Sequence, residues 1–342
     1  MIDVIIPAYS PSSTIRIGLM SLATQFHKEL INIVLVNDCS PNTLCNYADL
    51  ITEFKNIIKI DCIKTPYNMG QGGARQYGID HTFNDYFTFM DDDDQFGSNF
   101  AIFNLIAAVQ ASEQRHPRQK CAFSVVPICN LHNNKITTIQ VDSNAFVNGR
   151  LYCRQFIKEY NIHFHPDHSW VEEDYFFSRS LYFALNCNTN KWFEARVGDD
   201  PYAYFWMDNP NSQTQKDTYR KYLDMTHFAE TSVDLIKWME ETKGSKKKNI
   251  KQELCFMISH TYCHYFTWME KDSEFTKKFT SVDWERMRTG INKLRAKCQE
   301  YNLTREEIKP FLLKARQEQE FHKIIDMDII DFITKGTKEL EL

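Results

Sequence analysis

The sequence predicts an α/β protein: an open, mainly parallel sheet flanked by helices, followed by a helical C-terminal module. Three observations predict it. Over the first hundred residues, short apolar runs alternate with stretches of helical periodicity. Polar or glycine-rich clusters follow the apolar runs. After about residue 216 the pattern changes to long helical stripes.

Residues 2–6 are an apolar run closed by Pro7 and read as a buried parallel strand. Ile15, Leu19, Leu22, Ala23 and Phe26 then recur at helical spacing. Residues 31–36 are a second strand, and Leu44, Tyr47, Ala48 and Ile51 mark a second helix. Residues 57–63 are a third strand, followed by a glycine loop and a helix starting near Gly73. Residues 86–90 are a fourth strand. This rhythm predicts a sheet covered on both faces.

Tyr9 follows the first strand, Asn37 and Asp38 the second, Asn68 and the glycines the third, and Asp91 to Asp94 the fourth. In an open α/β sheet, ligands bind outside the carboxyl ends of the strands. All four clusters fall at that edge.

Four adjacent carboxylates repel unless cations or donors compensate them. Mg²⁺ and Mn²⁺ take such oxygen ligands and usually hold phosphates as well. The competing reading is a solvated acidic turn or a helix N-terminus. Because the run ends a buried strand, metal–nucleotide binding is favoured. In the segment Asn68-Met69-Gly70-Gln71-Gly72-Gly73-Ala74-Arg75, glycines let a backbone approach a ligand. It matches neither the dinucleotide fingerprint nor a Walker loop, and a plain turn fits equally well. Arg75 offers a phosphate or carboxylate contact. Asp38 can accept a hydrogen bond from a base imide or a ribose hydroxyl, or Asp38 and Ser40 can cap the next helix. Trp170-Val171-Glu172-Glu173-Asp174-Tyr175 sets acids beside aromatics, as a general base in a partly dry cleft requires. First-turn acids opposing a helix dipole are the alternative.

Composition bounds the rest. The 342 residues correspond to about two domains. Hydrophobic residues are 43% and charged residues 25%, which excludes a disordered chain, a collagen-like repeat and a coiled-coil rod. Aromatic residues, 14% of the chain, can build cores and stack on ring-shaped ligands. A net charge of −5 disfavours broad nucleic-acid binding but leaves room for a local basic patch. Ten cysteines without regular pairing point to a reducing, cytoplasmic compartment. The N-terminus has no basic n-region, so a signal peptide is not expected. No uncharged apolar run of about 18 residues occurs, so no transmembrane segment is expected.

In order and content, these motifs resemble family-2 glycosyltransferases with the GT-A fold. The residues that carry the resemblance are Ile5-Ile6-Pro7-Ala8-Tyr9, Val36-Asn37-Asp38-Cys39-Ser40, Asn68-x-Gly70-x-Gly72-x-Ala74-Arg75 and Phe89-Met90-Asp91-Asp92-Asp93-Asp94. Asn148-Gly149-Arg150-Leu151-Tyr152 is similar to the segment before the acceptor region, Glu173-Asp174 to the acidic base motif, and Asn209-Pro210-Asn211-Ser212 to a nucleotide-closing loop. The resemblance spans residues 1–215. It implies a nucleotide-sugar half over 1–99, an acceptor half over 100–215 and a separate helical module over 216–342.

The resemblance also implies roles. Pro7, Ala8, Tyr9, Asp38, Asn68, Gly72, Arg75, Asp91 and Asp92 would line the donor, a UDP-sugar by expectation, with Tyr9 and Asp38 at the base. Asp93, with Asp91, would ligate Mn²⁺ or Mg²⁺, and Arg75 would face the leaving diphosphate. Asp174, with Glu173 beside it, would deprotonate an acceptor hydroxyl for an inverting displacement. The acceptor class stays open among a glycan, a lipid-linked glycan, a protein and a modified nucleic acid, the last disfavoured by net charge. Peripheral membrane contact also stays open. The chain departs from the family at Asn37, where a second acid is common, at Ser10, where Asn is common, and in the closing loop, which has no obvious His ligand. No Gln-x-x-Arg-Trp motif follows Asp174, so single-sugar addition is expected.

A nucleotidyltransferase is the runner-up. It usually has a glycine-rich basic loop after the first strand, where this chain has Pro7-Ala8-Tyr9-Ser10-Pro11. A non-catalytic nucleotide- or sugar-binding module is the third reading, and the presence of Asp93 and Asp174 argues against it.

His163, His165 and His168 are expected to line the acceptor cleft or the surface rather than a metal site. Further on, Met225, Phe228, Ser232, Leu235, Ile236 and Met239 form one helical stripe. Leu254, Met257, Ile258, Thr261, Tyr262, Tyr265, Phe266 and Met269 form a second, and Ile291, Leu294, Cys298 and Tyr301 a third. Residues 244–248 read as a basic linker, and Thr304 with Glu307 as a capping box. Cys255, His260, Cys263 and His264 share one helix and read as core rather than zinc ligands.

Overall fold

The computed structural model describes residues 1–41, 46–132, 135–140, 146–166, 172–198, 200, 202–207, 218–271, 279–318 and 328–334. β1 (Ile2–Ala8), β2 (Ile31–Asn37), β3 (Lys59–Lys64) and β4 (Tyr86–Phe89) are the four strands expected from the apolar runs. They run parallel, with β1 between β2 and β4. β1 and β2 are buried almost throughout, which is why they read as unbroken apolar runs. Pro7 is tolerated in this central strand because β4 pairs only with residues 2–5 of it, so the missing N–H leaves no ladder bond unmade.

The connecting helices are α1 (Ile15–Ala23), α2 (Tyr47–Phe54) and α3 (Gly70–Asp80). α3 begins three residues earlier than expected. Gly70, at φ 73°, turns the chain into the helix, so Gly72 and Gly73 lie in its first turn instead of a loop.

The later strands are β5 (Gln95–Phe96), β6 (Lys120–Val125), β7 (Ile128–His132), β8 (Lys135–Gln140), β9 (Arg150–Cys153), β10 (Trp192–Arg196) and β11 (Tyr204–Met207). The main sheet has the order β10-β6-β9-β4-β1-β2-β3, and β9 alone runs against its neighbours. A four-stranded sheet, β5-β11-β7-β8, stands beside the acidic run. α4 (Ala101–Arg115), α5 (Arg154–Glu159) and α6 (Glu172–Cys187) complete this part. Its core joins Val4, Ile6 and Leu35 of the sheet to Leu19 of α1 and Leu105 of α4.

The chain divides into two units, Met1–Gln215 and Lys216–Leu342. The second is helical: α7 (Thr218–Glu241), α8 (Lys247–Lys271), α9 (Ser281–Glu300), α10 (Arg305–Glu318) and α11 (Ile329–Thr334). Leu235, Ile236, Met239, Leu254, Met257, Ile258, Ile291, Leu294 and Cys298 are buried, as their spacing predicts. The side chains of Met225, Tyr265, Phe266, Met269 and His264 lie outside the described residues, as do Leu44 and His168. The basic linker is shorter than expected, because Lys247 and Lys248 join α8. Thr304 and Glu307 form the capping box: the Thr304 N–H donates to the Glu307 carboxylate (2.9 Å) and the Glu307 N–H to the Thr304 hydroxyl (3.3 Å). No helix among the described residues is long and apolar enough to cross a membrane, and no disulfide joins the described cysteines.

Candidate active site

The carboxyl edge of β1 and β2 is held in shape by hydroxyl groups. Tyr47 donates to the Ala8 carbonyl (3.0 Å) and lies 2.9 Å from Ser40 Oγ, which accepts the Ser10 N–H (2.8 Å). Ser10 and Cys39 adopt left-handed backbone, φ 51° and 56°, a strained state that persists where surrounding bonds impose it. This network presents Tyr9, 44% exposed, at the rim. Pro7 and Ala8, expected at the donor, are buried in β1. Ala8 contributes through its carbonyl, which also takes the Asp38 N–H (2.9 Å). Asp38 is buried, and its Oδ1 accepts from the Thr65 hydroxyl (3.0 Å) and the Met69 N–H (2.7 Å), tying β2 to the approach to α3. Asn68 is exposed and its side-chain oxygen accepts the Gly70 N–H (3.1 Å). Gly72 is buried in the first turn of α3.

Arg75 links two carboxylates. The resemblance put it on the diphosphate. The structure buries its side chain, 2% exposed, and directs one Nη to Asp91 and the other to Asp174, both at 2.6 Å. Its guanidinium lies 5.9 Å from the ring centroids of Phe89 and Phe164, so the bridge has an aromatic roof. Asn148 donates to the second oxygen of Asp91 (3.0 Å). Asp91, Arg75 and Asp174 thus form one connected line.

Asp174 lies in the first turn of α6, its side chain a quarter exposed. Burial pushes its carboxyl from 3.8 up to about 6; Arg75 pulls it down, Asp91 adds to the rise and Arg150 opposes it. Such a group is a base with its proton affinity near working pH. The side chain of Glu173 lies outside the described residues, as do Trp170, Val171 and 208–217 with the expected closing loop.

The four acids of the run are not equivalent. Asp92 is partly buried, and burial with its neighbours Asp93 and Asp91 raises its carboxyl well above the usual range. Asp94 is fully buried. It accepts the Tyr204 hydroxyl (2.8 Å) and the Met207 N–H (3.0 Å), both from β11. The same Tyr204 oxygen takes the Asp91 N–H (3.4 Å). Gly18 of α1 closes the far side: a Cβ there would stand 2.7 Å from the Asp94 carbonyl. Tyr204 therefore clamps the acidic turn. Tyr204→Phe keeps the ring against Phe96 and loses the clamp, so metal-dependent nucleotide binding should weaken about tenfold, a hydrogen bond to a charged group being worth about 1.5–3 kcal/mol. Calorimetry on the two proteins checks this.

The donor set suits a hard cation. Asp93 is half-buried at the turn beside Asp91, whose two oxygens already accept from Arg75 and Asn148 and would have to share a cation with them. Among the described residues no three His, Cys, Asp or Glu side chains gather as a metal set. Mg²⁺ and Mn²⁺ need only one or two carboxylates when phosphates supply the remaining oxygens.

Residues 3–116 match the family model for glycosyl transferase family 2. This is the family that the sequence resembles. A Haemophilus influenzae protein described as an uncharacterized glycosyltransferase is 29% identical over 94 residues. That match covers 28% of this chain and 36% of the relative, so the chain spans about a third of that protein's length. Among solved structures, S. aureus TarS 1–349 in complex with UDP-GlcNAc has a TM-score of 0.65 at 14% identity, covering 97% of this chain and 95% of that one. A mannosyltransferase from Pyrobaculum calidifontis, in complex with GDP-Man and Mn²⁺, has a TM-score of 0.52 at 10% identity, covering 94% and 88%. At these identities the likeness is one of fold, and the fold is the GT-A type.

The family-2 segment contains Tyr9, Asp38, Arg75 and the acidic run. Asn148, Asp174 and Tyr204 lie beyond it and reach Asp91, Arg75 and Asp94 only through the fold. Sequence reasoning gave Tyr204 no role, because a buried tyrosine in a short strand carries no local sign of a partner 110 positions away.

Proposed function

We propose that the chain is an inverting glycosyltransferase that moves one sugar from a nucleotide-diphosphate sugar, by preference a UDP-sugar, to an acceptor hydroxyl. The observation that carries this is the Asp91–Arg75–Asp174 line at the carboxyl edge of the sheet. It joins the acidic run on the donor side to a carboxyl titrating near 6. The family match and the GT-A fold support the same reading.

In this mechanism Asp174 accepts the proton of the acceptor hydroxyl as its oxygen bonds to the anomeric carbon and the bond to the diphosphate breaks. Attack from the face opposite the leaving group inverts the configuration. Arg75 keeps Asp174 oriented and ionised, and Asn148 with Arg75 fixes Asp91. Tyr9 covers the base, and Asp38 holds the turn beneath it. Asp93, with Asp91, would hold a divalent cation, which would supply positive charge to the departing diphosphate. Incubation with UDP- and GDP-sugars, Mn²⁺ and a mixture of saccharide acceptors tests this by NMR. One donor should release its nucleoside diphosphate, with the transferred sugar inverted at the anomeric carbon. Retained configuration, or no turnover of any donor, contradicts it.

A further inference from the structure

We propose that Trp206, backed by Phe146, is a stacking wall for a sugar ring at the edge of this cleft. The inference deepens the transferase reading and rests on it.

Trp206 is 39% exposed, whereas Trp192 of the same unit is fully buried. One exposed aromatic is ordinary on a surface, so its position has to carry the argument. Trp206 lies on β11 between two anchored residues. Tyr204, two positions back and on the same face of the strand, reaches Asp94 and the Asp91 N–H. Met207, one position on, donates its N–H to Asp94. The Trp206 ring packs on that of Phe146, with centroids 5.6 Å apart at 50°. Phe146 is fixed from its own side: Arg150 donates to its carbonyl, and Asn148, two residues on, donates to Asp91.

Both halves of the ring pair therefore come from segments tied to Asp91 through a residue two positions away. On β11, two residues of extended chain span about 7 Å. The pair is thus carried by the two segments that meet the acidic turn, which in the proposed function holds the donor's phosphate end. A sugar ring presents an apolar C–H face and a polar rim, which an exposed, rigid indole fits. The ring can belong to the donor or to the acceptor.

The test uses the indole N–H resonance of Trp206, assigned by its loss in Trp206→Leu, a variant that keeps an apolar contact with Phe146. The probes are UDP, UDP-GlcNAc and GDP-mannose with Mn²⁺, then methyl pyranosides added to nucleotide-saturated protein. For a donor wall, the resonance moves with a sugar nucleotide but not with its parent nucleotide, and Trp206→Leu loses about tenfold affinity for the sugar nucleotide alone. For an acceptor wall, it moves with a pyranoside, and the variant loses that response with nucleotide affinity unchanged. A resonance that responds to no sugar, in wild-type protein that binds nucleotide, overturns the wall and leaves the transferase reading standing. Wild-type protein that binds no nucleotide overturns both.

Discussion

Asp174→Asn should fold normally and lose about a hundred- to ten-thousand-fold in transfer rate, the range that a positioned general base contributes. Nucleotide affinity should stay near wild type, because Asp174 faces the acceptor in this account. The folding claim follows from the carboxyl's titration. Its native pKa, about 6, lies above the ordinary 3.8. Between these values the native state binds more protons than the unfolded one, so the Asp174 contribution to stability is present below about pH 4 and is lost as pH rises through 6. At pH 7.5 the ionised group opposes folding, and neutral Asn should leave the melting temperature equal or higher. Melting curves beside initial rates check both halves. A variant that keeps its rate contradicts the base assignment.

Arg75→Met should have the second-largest effect. It strands two carboxylates that now share one guanidinium, 2.6 Å from each. Removing one partner of a buried pair costs about 3–5 kcal/mol, and the partial exposure of Asp91 and Asp174 places this case at the low end. Arg75 also holds the Asp174 carboxyl down against burial. Without it the carboxyl titrates higher, so the acid limb of the rate profile should move to higher pH. Arg75→Lys should not rescue, since one ammonium cannot span both carboxylates with a planar fork. A limb that stays in place while stability falls would show that Arg75 is structural only.

How much of this was legible in the sequence depended on sequence distance. β1, β2 and β4 were readable because strands buried on both faces of a parallel sheet are continuous apolar runs. The acidic run and Tyr9 were readable because a strand's end marks where its ligands lie. Gly70 and Gly72 were misread as a loop. Glycine signals a turn, and here one turn at Gly70 starts the helix directly. β5 and β11, of two and four residues, were not foreseen; strands so short carry too little alternation to detect. The residues alone left Arg75 open between phosphate and carboxylate, because its partner Asp174 lies 99 positions away. A lone arginine after a glycine segment says nothing about which anion it meets. The sequence gives Asp94 no role of its own; its place in the turn comes from Tyr204 and Met207, more than a hundred positions away.

In the proposed function the acidic turn holds a metal-bound nucleotide diphosphate next to a base. Calorimetric titration of UDP, GDP and CMP, each with and without Mn²⁺, into wild type and Asp93→Asn tests it most directly. The account predicts that one nucleotide, UDP by preference, binds in the presence of Mn²⁺, and that Asp93→Asn abolishes the binding without changing the melting curve. No binding of any nucleotide by folded wild-type protein, or equal binding by the variant, would contradict it.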